Sequence, residues 1–180
     1  MAVARRGVFE DFRRGHAQRW IRVDGTSMRP IIPAGSWLLV DFGRVPERVG
    51  QVVIAAVGAE MVAHRVVARP TARRGNRIIL KGDAELRGDP RVTADDVFGV
   101  VRGMRLGEGR ITSAGFDGAG ATAIAVASRV GGRIASVVSA ASTRLPRAVN
   151  VALGGVATLT NLPVRILAAA VSRGPRTRLT

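Results

Sequence analysis

Between residues 21 and 108 the chain is divided into short apolar runs, and glycine or proline stands between most of them. The runs have the length of strands and are rich in valine and isoleucine, which favour strands. Glycine and proline at the joins favour turns. The pattern predicts a mainly β region, either a sheet or a small barrel. The predicted strands include Trp37–Asp41, Gln51–Ala55, Met61–Val67, Arg77–Lys81 and Val97–Val101.

The segments on either side of this region have a different composition. Residues 1–20 form a short amphipathic lead-in with large aromatic side chains, including Phe9, Phe12 and Trp20. We therefore expect a lead-in at 1–20 followed by a β domain at 21–108.

The C-terminal region, residues 109–180, is predicted to be an α-helical extension with a basic tail. It is rich in alanine, valine, glycine and serine, and apolar residues such as Val126 and Val130 recur at helical spacing. Its arginines could contact an anionic membrane surface. The alternative is that its helices pack on the β domain or on a second subunit.

The charge balance is strongly basic, with 28 lysines and arginines against 13 aspartates and glutamates, a net charge of +15. Such a charge suits nucleic acid, an anionic membrane or an acidic substrate, or it simply reflects an arginine-rich composition. Aromatic residues make up only 4% of the chain, too few for the usual base-stacking surface. We therefore expect no nucleic-acid partner.

Cysteine is absent from the sequence. Disulfides, thiolate zinc sites and cysteine nucleophiles are therefore excluded. We expect no metal and no cofactor.

Ser27 is a candidate nucleophile because of its neighbours. Gly25 allows a sharp bend before it, and Pro30 stiffens the chain after it. A serine on a fixed bend can present its hydroxyl to a cleft. Alone this signal is weak, since most such segments are ordinary turns.

A serine hydroxyl needs a neighbouring base, and histidine suits neutral pH best. The chain has two histidines, His16 beside two arginines and His64 within a predicted strand. His16 is expected to be solvated, and a lone strand histidine such as His64 is more often structural. Asp83 and Asp89, in the loop after the strand at Arg77–Lys81, are candidates to orient the imidazole. The residues alone do not choose between them.

Five segments together resemble, in order, the sequence boxes of signal peptidases. The first carries the pattern Gly-x-Ser-Met-x-Pro, and the third places His-Arg-Val where archaeal and microsomal signal peptidases have it. The five segments are Gly25–Gly35, Gly50–Val53, Ala63–Val67, Lys81–Ala84 and Val97–Val101. The resemblance implies a signal-peptidase-like β core over about 21–108 with a C-terminal α-helical appendage.

The resemblance also implies roles for the candidate residues. The bacterial branch and the self-cleaving SOS-type repressors use a Ser–Lys pair, whereas His64 here implies a Ser27–His64 pair supported by an aspartate. Asp89 matches the later aspartate of that branch and is slightly favoured over Asp83. Lys81 is the alternative base.

The resemblance also bears on the substrate subsites and on the oxyanion site. Met28 and Ile31 are expected to shape small substrate subsites. Signal peptidases sometimes place a hydroxyl donor for the oxyanion two residues before the nucleophile, and Gly25 stands there in this chain.

The function implied is that of a serine endopeptidase that cleaves a leader or signal-like segment of a polypeptide precursor through an acyl-enzyme. No spanning helix precedes Ser27, so we expect a cytoplasmic, or at most membrane-peripheral, processing peptidase. The alternatives are a regulatory protein of the self-cleaving repressor type and an inactive peptide-binding module.

Overall fold

The computed structural model describes residues 2–72, 75–85, 91–113, 115–116 and 118–129. One helix precedes seven strands, a short 3-10 helix precedes the last strand, and residues 118–129 are helical. The elements are α1 (Ala2–Arg14), β1 (Gln18–Val23), β2 (Ser36–Phe42), β3 (Val52–Val57), β4 (Glu60–Ala68), β5 (Ile78–Lys81), β6 (Arg91–Val92), a 3-10 helix (Ala94–Asp96) and β7 (Val97–Leu106).

The seven strands form one sheet in the order β1-β2-β7-β3-β4-β5-β6, and each neighbouring pair is antiparallel. β7 comes last in sequence but lies between β2 and β3, so it joins the N-terminal strands to the β3–β4 hairpin. The predicted mainly β fold is confirmed.

In strand β3 the apolar residues are continuous and do not alternate with polar ones. Val52, Ile54 and Ala56 belong to one core cluster, and Val53 and Ala55 belong to a second. Both faces of the strand are therefore buried, and each successive residue needs an apolar side chain.

Helix α1 packs on the sheet through its aromatic residues. The Phe9 ring lies 5.8 Å from that of Phe42 and 5.9 Å from that of Phe98, and Phe12 lies 5.3 Å from Phe42. Trp20, expected in the lead-in, is instead part of β1. The first aromatic residues of the chain thus cover one end of the main core cluster.

Residues 118–129 present a narrow face of small and apolar residues to the sheet. The buried positions are Ala121, Ile124, Ala125 and Ser128, spaced as one face of a helix. Val126, which the apolar periodicity placed on the packing face, is 55% exposed. Small residues suit this face at Ala121, whose backbone lies close to Gly50, while Ile124 supplies its one large buried side chain.

The predicted C-terminal extension beyond residue 129 lies outside the described residues. In the described ranges, no helix combines the length and the apolar character that crossing a membrane requires.

Substituting Gly50 with alanine tests the contact with residues 118–129. Gly50 has φ +102°, and a Cβ atom there would lie 2.5 Å from the backbone carbon of Ala121. We expect Gly50→Ala to lower the free energy of unfolding by about 2 kcal/mol more than a glycine substitution without a clash, since overpacking typically costs about 1–3 kcal/mol. Urea-induced unfolding followed by circular dichroism measures the difference.

Gly58→Ala is the matched control, because Gly58 also has positive φ, +60°, but no atom lies within 4 Å of an added Cβ. Equal destabilisation by the two substitutions would contradict close packing at Gly50.

Candidate active site

Ser27 lies in a tightly bent loop between β1 and β2. The Ile32 N–H donates to the Met28 carbonyl at 3.0 Å, and the Arg29 N–H donates to that of Thr26 at 3.1 Å. Gly35 closes the loop by donating to Val23 at 2.7 Å. These backbone bonds fix the serine in place, as the residues around it predict.

His64 reaches Ser27 from strand β4. Its Nε2 lies 3.1 Å from Ser27 Oγ, within hydrogen-bond distance, although the two residues are 37 positions apart in sequence. Pairing of His64 with Val53 in the β3–β4 hairpin sets the height of the imidazole along the strand. The structure thus brings together the nucleophile and the base suggested by the sequence.

The surroundings of His64 favour its neutral form. The residue is 5% exposed, and burial lowers the pKa of its imidazole below the ordinary value of 6.5, while Glu85 and Asp83 oppose that effect and Lys81 adds to it. A neutral imidazole at neutral pH can accept the proton of a serine hydroxyl. Glu85, which the sequence analysis did not single out, lies closest, with Oε1 3.8 Å from Nε2.

Asp83 lies near His64 but faces a different partner. Its two carboxylate oxygens accept hydrogen bonds from Arg65 Nε at 2.8 Å and Arg65 Nη2 at 2.7 Å, and both side chains are fully buried. Among the described residues, the buried Nδ1 of His64 has no hydrogen-bond partner. Asp89, the other predicted orienting residue, lies outside the described residues.

Arg65 ties several segments of the site together. Besides binding Asp83, its Nη1 donates to the carbonyls of Gly50 and Gly115, each at 2.6 Å. Asp83 in turn fixes the loop whose Ala84 N–H donates to the Ser27 carbonyl at 2.7 Å. Arg65, which follows His64, is therefore connected to Ser27 through Asp83 and Ala84.

Lys81, the alternative base, is 1% exposed and is hydrogen-bonded away from that role. Its Nζ donates to the Glu85 carbonyl at 2.5 Å and to Ser128 Oγ at 2.8 Å. The ammonium holds the chain around Glu85 against the helical residues 118–129. This contact was not foreseen, because no sequence pattern links a strand lysine to a serine in a distant helix.

Ser27 and His64 line a cleft of about 920 Å³. Met28, expected to shape a subsite, belongs to its wall, whereas Ile31 packs against the core cluster and the neighbouring Ile32 lines the cleft. The sequence analysis also missed the cleft's charged residues, which are Arg22, Asp24, Glu60 and Glu85. Arg22 and Asp24 lie at the end of β1 and Glu60 begins β4, whereas Glu85 lies in the loop after β5.

No group of histidines, cysteines and carboxylates within the described ranges is suited to hold a metal ion.

Removing the carboxylate of Asp83 tests the dependence of the site on the buried ion pair. Asp83→Asn leaves the Arg65 guanidinium buried with a weaker acceptor, and breaking such a pair costs about 3–5 kcal/mol. We expect a loss of that size in the free energy of unfolding, measured by urea denaturation. Asp41→Asn is the control, because Asp41 binds Arg102 at 3.1 Å in a partly exposed pair whose loss should cost less than about 1 kcal/mol. Equal losses would contradict a central role for the buried pair.

Comparison with known proteins identifies the family of the chain. The sequence model of the family described as Peptidase S24-like matches residues 5–114, more than half of the chain. The matched range contains both Ser27 and His64. No curated protein matches the chain. The superfamily of signal peptidases and self-cleaving repressors, predicted from the sequence boxes, is confirmed, and the narrower Ser–His branch stays a prediction. The chain belongs to the Peptidase S24-like family.

Proposed function

We propose that the protein is a serine endopeptidase that cleaves a polypeptide substrate with Ser27 as nucleophile and His64 as general base. The observation that carries the proposal is the 3.1 Å separation of Ser27 Oγ and His64 Nε2 in the wall of a cleft. Membership of a serine-peptidase family supports it. The Ser–His pair resembles that of archaeal and microsomal signal peptidases, in which histidine replaces the lysine of the bacterial enzymes.

The reaction begins when neutral His64 accepts the Ser27 proton at Nε2 while Oγ attacks the peptide carbonyl. The tetrahedral oxyanion is stabilised by backbone N–H groups at the bend, including that of Ser27, which donates no other hydrogen bond within the described residues. The imidazolium returns its proton to the leaving amine, and the acyl-enzyme forms. Water, activated by the same imidazole, then releases the acyl group.

Carboxylates stabilise the charged imidazole from a short distance. Glu85 and Asp83 both favour the protonated form of His64 electrostatically, but neither is bonded to its Nδ1. Asp89 is the proposed partner for Nδ1 on the resemblance alone. Asp83 acts mainly through Arg65, by ordering the loop that contacts Ser27.

Two free strand edges suit an extended peptide. Within the described ranges, β1 is the first strand of the sheet and pairs with β2 alone. In β4, the pairing with β5 begins at Arg65, so among the same described residues Glu60–His64 are paired on the β3 side alone. Both edges contribute residues to the cleft. An extended substrate backbone would supply the missing hydrogen-bond partners, as in other cases of strand addition.

A serine-directed acylating probe tests the reactivity of Ser27. We expect a fluorophosphonate to label the native protein at Ser27, and both Ser27→Ala and His64→Ala to reduce labelling by at least about a hundredfold, since a general base contributes about 10²–10⁴-fold. Intact-mass and peptide mass spectrometry identify the labelled residue.

Matched controls are available on the same chain. Ser113→Ala removes an exposed serine outside the cleft, and His16→Asn replaces the other histidine, which is exposed and has a positive φ that asparagine tolerates. Both variants should label like the native protein. Labelling that survives His64→Ala, or that occurs at Ser113, would refute the Ser–His assignment.

The pH profile of labelling tests the environment of His64. The reactive form has neutral His64, whose pKa is lowered by burial, so labelling should be complete at pH 7 and decline only as the pH falls below 6.5. Glu85 raises this pKa, so Glu85→Gln should move the acidic limb to lower pH. Glu108→Gln, an exposed substitution outside the cleft, should leave it unchanged. A shift of the limb to higher pH in Glu85→Gln would contradict the proposed electrostatics.

A further inference from the structure

The charge of the cleft is opposite to that of the chain. Lys and Arg exceed Asp and Glu by 28 to 13 in the whole sequence. Among the described residues that line the cleft, Asp24, Glu60 and Glu85 are acidic, and Arg22 is the one guanidinium. The region around the Ser27–His64 pair is therefore locally acidic on a basic protein.

Two of the three carboxylates are available to a ligand. Asp24 is paired with Arg22 at 3.3 Å, and both side chains are largely exposed. Glu60 is exposed and makes no ion pair with any described residue. Glu85 is 40% exposed, and its one ion-pair partner within the described ranges is His64, which counts as charged only when protonated. Because burial keeps the pKa of His64 below 6.5, Glu85 has no cationic partner there at neutral pH.

The nearest buried cations, Arg65 and Lys81, are hydrogen-bonded within the protein. Arg65 is neutralised by Asp83, and neither side chain is accessible. Lys81 is 1% exposed and donates to the backbone carbonyl of Glu85 and to Ser128 Oγ, on the side away from solvent.

The spacing of the two free carboxylates matches an extended peptide. Glu60 and His64 are on the same face of β4, four residues apart, which corresponds to about 13 Å along the strand. Glu85 lies beside the catalytic pair, with Oε1 3.8 Å from His64 Nε2. A substrate strand running along β4 therefore meets one carboxylate next to the scissile bond and another about four residues away.

The carboxylates are not an isolated acidic cluster. They share the cleft with the hydrogen-bonded Ser27–His64 pair and with the unpaired edge of β4. His64 itself is 95% buried in the cleft wall, and its Nε2 lies 3.1 Å from Ser27 Oγ. These features point to a ligand that brings both backbone hydrogen bonds and positive side chains.

We infer that the cleft selects a polypeptide segment carrying arginine or lysine next to the scissile bond, at Glu85, and about four residues from it, at Glu60. This inference rests on the proposed peptidase function, whose substrate it narrows to basic segments. The electrostatic field of the whole chain favours acidic peptides instead, since a net charge of +15 repels cationic ones. The two effects therefore predict different rankings of the same peptides.

Binding to the uncleaving Ser27→Ala protein tests the inference separately from catalysis. The probes are three fluorescein-labelled peptides that share one sequence of small and apolar residues. They carry arginine, glutamine or glutamate at two positions, one next to the scissile bond and one about four residues from it. We expect the arginine peptide to bind at least about fivefold more tightly than the glutamine peptide at low salt, because it can form two exposed ion pairs and each contributes up to about that factor. Fluorescence anisotropy gives the dissociation constants, and added salt should reduce the preference.

Variants at Glu60 test whether this residue is responsible for the preference for the arginine peptide. In the Ser27→Ala background, Glu60→Gln should reduce the arginine preference severalfold, and Glu60→Lys should shift it towards the glutamate peptide. Glu108→Gln, outside the cleft, is the matched control and should leave the preference unchanged.

The outcomes separate the selection of basic segments from the proposed peptidase function. Equal binding of arginine and glutamine peptides, preference for glutamate, no binding of any peptide, or equal effects of Glu60→Gln and Glu108→Gln would overturn the inference. If the fluorophosphonate does not label Ser27 in the native protein but the arginine peptide still binds more tightly, the peptidase function is refuted. The cleft is then one that binds basic peptides.

Discussion

The buried ion pair between Arg65 and Asp83 is the interaction on which the arrangement of the site depends. Both side chains are excluded from solvent, so each has lost its hydration and relies on the other. The pair tolerates burial because Arg65 uses four donor bonds, two to the carboxylate and two to the carbonyls of Gly50 and Gly115. The four hydrogen bonds that stabilise the Arg65 guanidinium also set the positions of β4, Asp83 in the loop after β5, and Gly115.

Helical residues 118–129 extend this support beyond the range that the family shares. They lie against Gly50, which no larger residue can replace without displacing Ala121, and Ser128 accepts a bond from Lys81. In the Ser–Lys branch of the superfamily a lysine serves as the base, whereas the Lys81 ammonium here has a structural task. The proposed base is His64, whose burial lowers the pKa of its imidazole and so favours the neutral form.

The sequence predicted the parts of the structure that depend on local pattern. β-branched runs located five strands, and the ordered boxes joined Ser27 to His64 across 37 residues. Contacts that depend on tertiary geometry could not be predicted. The pairing of Asp83 with Arg65 rather than with the imidazole requires knowing which way each side chain points. The buried face of 118–129 has one large apolar residue, Ile124, among smaller ones, which is too little for a strong apolar periodicity.

The same limit explains why Glu85 was overlooked. An acidic residue in a turn usually faces solvent, and only the fold shows that this one lies 3.8 Å from His64 Nε2. In the reaction proposed above, this carboxylate stabilises the imidazolium that forms when Ser27 gives up its proton. A substrate cation that pairs with Glu85 would weaken that stabilisation. The two proposals are therefore linked through one side chain, because the carboxylate proposed to select a basic substrate is also one that raises the pKa of His64.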